Sequence, residues 1–201
     1  MSWTTGTQTE ALSVNSANAS AYANLSVATQ CSPATGAGYT PANFWLPSYG
    51  ISKSLLVKAF GVMGTTSTPS LTIGVSANTT QGTYNSSGIL ATTGAVAMSS
   101  GVSNVPWSLE VIISNVTTGA SGTFLADGML IVFNAVTTAT AWGGYRCSSS
   151  AANPNTAATL STQSAYYIEL FATWSAASAS NTLTVYSYAV LGLNLSGLGL
   201  N

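Results

Sequence analysis

The sequence predicts an all-β protein: a single jelly-roll-like antiparallel β-sandwich of about eight strands, with an N-terminal arm. Three observations lead there. Apolar and polar residues alternate with period two in several segments. Gly, Asn, Ser and Pro punctuate those segments at fairly regular spacing, as turns do. Helical periodicity is nearly absent, and only residues 10–24 are compatible with a helix, with a thin apolar stripe.

Residues 106–113 alternate best. Trp107, Leu109, Val111 and Ile113 face one way, and Ser108, Glu110 and Ser114 the other. In residues 166–174, Tyr166, Ile168, Leu170, Ala172 and Trp174 form a second dry face, with Glu169 and Thr173 opposite. Leu183, Val185, Ala189 and Leu191 read as a third such face. Residues 123–133 form a long strand in which Gly128 marks a bulge or a close backbone approach. Residues 54–63 and 70–76 are two further strands, separated by the turn run 64–69. Weaker candidates are 25–30, 39–46 and 89–98. Residues 1–40 are rich in Thr, Ser, Ala and Asn, and read as an arm that orders against a partner, leaving 41–201 as the sandwich domain. Residues 134–165 read as one long connection, a length that is uncommon unless the loop is functional or disordered.

Only seven of 201 residues carry a formal charge: Glu10, Lys53, Lys58, Glu110, Asp127, Arg146 and Glu169. That is 3%, against about 25% in ordinary soluble domains. Hydroxyls replace charge as the solvating groups, since Ser and Thr together number 58. The hydrophobic fraction of 46% is enough for a true core. A net charge of −1 gives little colloidal repulsion and favours association. Three basic residues cannot track a phosphate backbone, so no nucleic-acid partner is expected. No polybasic segment addresses anionic lipid, no apolar run reaches membrane length, and the first residues lack a leader pattern, so no membrane partner is expected either.

The absence of histidine removes Ser-His-Asp and Cys-His nucleophiles and the usual near-neutral acid–base group. Ser52-Lys53-Ser54 is a weak Ser-Lys neighbour pair, read as a solvated strand entry. Glu110, Asp127 and Glu169 are the only acids beyond Glu10. They read either as a glycosidase pair or, more simply, as solvent-face residues or ion-pair partners of Lys58 or Arg146. The expectation is no enzyme activity, no cofactor and no metal. Cys31 and Cys147 read as two buried thiols, or as a disulfide whose long loop contributes about 4–5 kcal/mol by the chain-entropy argument. Trp142, Tyr145 and Arg146 form the one cluster of aromatics with a cation. They are candidates for a partner or glycan contact, with Trp45 and Tyr49 as further members of a sugar platform. Sequons stand at Asn18, Asn24, Asn78, Asn85, Asn115 and Asn194, close to the number chance gives in so hydroxyl-rich a chain.

The run from Phe171 through Ala172, Thr173, Trp174, Ser175, Ala176 and Ala177 to Thr184 resembles a cassette of tailed-bacteriophage structural proteins. Gly64 to Gly74, Gly101 to Glu110 and Gly119 to Thr123 resemble further elements of those proteins, in the same order. The resemblance spans residues 55–193 with gaps and brings no catalytic residues. Residues 1–40 and 134–165 have no counterpart in it. It implies a head decoration protein, head fibre or tail-associated jelly roll, often trimeric.

The expected function is therefore a non-enzymatic virion structural protein at the virion surface, assembled in the host cytoplasm. It would be a capsid decoration or cement protein or a head fibre, bound as a homotrimer to the major capsid or other virion proteins. The alternative is a receptor- or carbohydrate-binding module of a phage tail or fibre.

Overall fold

The computed structural model describes residues 12–13, 21–23, 29–30, 38–40, 45, 54–80, 84–133, 142–153, 156–176, 178 and 180–193. The chain is all-β. Its strands are β1 (Leu12–Ser13), β2 (Ala21–Ala23), β3 (Thr29–Gln30), β4 (Gly38–Thr40), β5 (Ser54–Gly64), β6 (Ser70–Asn78) and β7 (Ile89–Thr92). They continue as β8 (Val96–Ala97), β9 (Val105–Thr117), β10 (Gly122–Phe133), β11 (Trp142–Ser148), β12 (Ala158–Leu160), β13 (Tyr166–Trp174) and β14 (Thr182–Leu193). The described residues contain no α-helix, only a 3-10 turn at Ser86–Gly88 capped by the Asn85 side chain.

All pairings are antiparallel, in the order β1-β14-β5-β9-β10-β11-β7-β6-β13-β3. Two broad groups make up this path. One is β14, β5, β9, β10 and β11; the other is β7, β6 and β13. They join through a single register pair, Ser148 with Thr92. Both groups contribute to one hydrophobic core, with Val57, Trp107, Val111 and Val185 from the first and Leu71, Val75, Ile168 and Trp174 from the second. The sheet therefore curls on itself around that core. Across that core the buried Tyr188 hydroxyl of β14 donates to the Ile168 carbonyl of β13 at 2.7 Å.

The alternation read in residues 106–113 is the alternation observed. Trp107, Leu109, Val111 and Ile113 are buried, while Glu110 and Ile112 are exposed. Gly128 faces the Val111 backbone, and a Cβ there would lie 2.1 Å from the Glu110 carbonyl oxygen. Close approach is thus its role; the bulge in this pair lies elsewhere, between Thr123 and Phe124.

Three expectations are corrected. In β14, Leu183 and Val185 are buried as expected, but the next buried residues are Tyr188 and Val190, not Ala189 and Leu191. A register shift between Val185 and Ser187 inserts one residue and moves the dry face from odd to even positions. Glu169, read as facing away from the core and into solvent, is fully buried, because β6 and β13 are covered on both faces. Tyr84 supplies part of that cover, its ring 5.1 Å from Phe171. Finally, the stretch read as one long connection holds β11 and β12, which pair with successive parts of β10.

Within the first 40 residues, the described strands β1 and β2 pair with β14, and β3 and β4 pair with β13, so these four strands lie along both ends of the sheet.

Candidate functional site

The alternation that builds the core leaves a second face on β5, β9 and β10, and nothing described covers it. All six exposed large hydrophobic residues among the described residues come from these three strands: Phe60, Ile112, Val116, Leu125, Met129 and Phe133. They are 40–52% exposed and share one face of the sheet. Val116 sits beside the β9–β10 register shift; the other five occupy outward positions of regular alternation.

Four of the seven charged residues lie on this same face, as two ion pairs. Lys58 Nζ is 2.8 Å from Glu110 Oε2, directly across the β5–β9 ladder. Arg146 Nε donates to Asp127 Oδ1 at 2.9 Å across β10 and β11. The register places Lys58, Glu110, Met129 and Arg146 in one cross-strand row. Phe60, Ser108, Ile131 and Gly144 form the adjacent row, and the Phe60 ring lies 6.2 Å from that of Tyr186. These rows line a shallow depression in the sheet surface. All four charged side chains are half exposed or more, so in an isolated chain each pair contributes under about 1 kcal/mol.

The candidate cluster read from sequence is divided by the strand on which it lies. Arg146 points outward and is bound to Asp127, while the half-buried Tyr145 packs against the core from the opposite face of β11. Trp142 is described only as the strand residue opposite Phe133. Trp45 is fully buried, edge-on to Phe124 with ring centroids 4.8 Å apart, and belongs to the core, not to a sugar platform. Tyr49 lies outside the described residues, as do Cys31, Ser52 and Lys53.

Cys147 is a buried free thiol. Burial, and secondarily the Asp127 charge, push its ionisation up to about 12. It is held as a neutral thiol at ordinary pH, which makes a poor nucleophile. Glu110 and Asp127 are each engaged by a cation on the outer face, whereas Glu169 is buried on β13, so the three acids do not converge. Among the described residues no group of three His, Cys, Asp or Glu side chains gathers to hold a metal, and no helix is long and apolar enough to cross a membrane.

Two of the sequons serve the fold. Asn115 is buried, and its amide donates to the carbonyls of Thr117 and Thr123. The Asn85 amide donates to the Ala77 carbonyl and its oxygen accepts from Ser87.

The sequence reading missed the outer face because it named the dry side of each strand and treated the other side as solvated. The signal was present: Ile112, Leu125, Met129 and Phe133 occupy positions that alternation assigns to water. Comparison with protein-family models, curated proteins and solved structures finds no match.

Proposed function

We propose that this chain is a non-enzymatic virion structural protein of a tailed bacteriophage, a capsid decoration or cement protein or a head fibre, acting as a homotrimer. The observation that carries the oligomeric part is the outer face of β5, β9 and β10, where all the exposed large hydrophobics among the described residues gather. A surface of that kind favours association with another protein. A near-neutral, hydroxyl-rich chain can make such contacts without stripping water from unpaired charges.

The strand order supports the jelly-roll reading. One group runs β14–β5–β9 with β1 and β2 beside β14; the other runs β7–β6–β13 with β3 and β4 beside β13. The β5–β6, β7–β9, β12–β13 and β13–β14 connections each pass between the groups, as connections between the two sheets of a sandwich do. The virion assignment rests on the cassette from Phe171 to Thr184 and the three elements that precede it.

A native mass spectrum of the full chain, without reductant, tests the oligomer. A mass near three times 20.3 kDa supports it, and a single-chain mass overturns it. Antibody labelling of purified particles tests the location. Label on the head surface supports a capsid role, and absence from the particle overturns the virion reading.

A further inference from the structure

We infer that the outer face of β14, β5, β9, β10 and β11 is the surface through which copies of this chain bind one another. The inference rests on the oligomeric reading above and adds the identity of the contact.

Area is the first argument. β14, β5, β9 and β10 are 12, 11, 13 and 12 residues long, and β11 adds 7. At about 4.8 Å between strands and about 3.3 Å per residue, the face spans roughly 870 Å². A stable standard-size interface takes about 800 Å² from each partner.

Charge is the second argument, and it selects the occupant. The face carries two cations and two anions, already matched at 2.8 and 2.9 Å. It has no net charge with which to attract nucleic acid, an anionic bilayer or an acidic peptide. Neighbouring copies about a threefold axis bring the same matched charges to the contact, so no unpaired charge is buried there. Because each charge enters the contact with a partner, the desolvation cost is smaller than for lone ions.

The contact explains an asymmetry of the fold. The β6–β13 half is buried on both faces within one chain, whereas the β5–β9–β10 half is buried on only one. Neighbouring copies would give it the same cover.

Peroxide oxidation of the native full chain, followed by peptide mass mapping, tests this without a variant. Met129 is 47% exposed in the single chain, while Met63 and Met98 are buried and serve as internal references. Exposed methionine thioethers oxidise first. In the purified oligomer we expect Met129 to lose its peroxide sensitivity and oxidise as slowly as Met63. Rapid Met129 oxidation in a chain that is nonetheless oligomeric overturns this contact while leaving the oligomer intact. A single-chain native mass overturns both readings together. As a second arm, Ile112→Lys with Met129→Lys should reduce the native mass to 20.3 kDa, while Ser87→Lys, on the exposed 3-10 turn, leaves it unchanged. An oligomer that survives the double substitution overturns the inference.

Discussion

At the scale of single residues, the closest tolerances are in the backbone and in buried protons. Gly128 touches β9 so closely that a methyl group would collide with the Glu110 carbonyl and the Val111 Cα. Gly128→Ala is expected to destabilise the fold by about 2–3 kcal/mol, as overpacking does, read as a lower urea midpoint. The Tyr188 hydroxyl of β14 donates to the Ile168 carbonyl of β13. Tyr188→Phe leaves the Ile168 carbonyl without that donor and should cost about 1–2 kcal/mol in the same measurement. Burial, and then the charge of Glu169, hold the Tyr188 ionisation well above its ordinary value. Cys147 behaves alike, with its ionisation near 12. Both groups are neutral when protonated and have folded-state values above their unfolded ones. Their contribution is therefore fully present below the unfolded thiol value of about 8.5 and is lost as pH rises through the folded values. The melting temperature should hold from neutrality to about pH 8.5 and fall progressively above it. A flat profile to pH 11 would contradict the burial of both groups.

At the scale of elements, two connections are held together by one side chain. Asn181 is buried; its Oδ1 accepts from the Thr66 amide at 2.9 Å, and its Nδ2 donates to the Ala176 carbonyl at 2.9 Å. It thereby ties the β5–β6 and β13–β14 connections, both of which cross between the two groups of strands. Asn181→Ala is expected to cost about 2–3 kcal/mol and to increase amide exchange in both connections. The elements also show how far alternation is legible. Over residues 106–113 of β9 it gave the correct faces because the register runs unbroken there against both neighbours, the one shift lying opposite Asn115–Thr117. In β14 one extra residue shifted the pattern, and nothing in Val185-Tyr186-Ser187 distinguishes a bulged strand from a regular one. β11 was hidden because Gly143 and Gly144 interrupt the apolar pattern; pairing with β10 makes it a strand. β12 has three residues, too few for periodicity to register.

At the scale of the molecule, the scarcity of charge sets the response to solvent. The two described ion pairs are exposed in the single chain, and there is little else to screen. The melting temperature should change little between about 0.01 M and about 1 M sodium chloride, where the Debye length falls from about 30 to about 3 Å. A large salt-dependent shift would mean that electrostatics outweigh packing in this fold. The same scarcity made the outer face hard to read from sequence. Lys58, Glu110, Asp127 and Arg146 are far apart along the chain, and only the ladder register gathers them among Phe60, Ile112 and Met129. The Trp142–Arg146 cluster is legible in the sequence because its residues are neighbours along the chain. Adjacency within a strand sends neighbours to opposite faces, and Tyr145 and Arg146 are separated for that reason.

The sequence by itself determined the all-β class, the positions of the long strands and the dry face of β9, because period-two burial is a local property of an extended backbone. It also determined how little charge the surface could carry. The tertiary structure decided which strands are covered on both sides, where β14 shifts its register, that Glu169 is buried, and that the leftover apolar residues share one face. Those outcomes depend on which strand lies beside which, and pairing between distant segments leaves no mark within either segment alone.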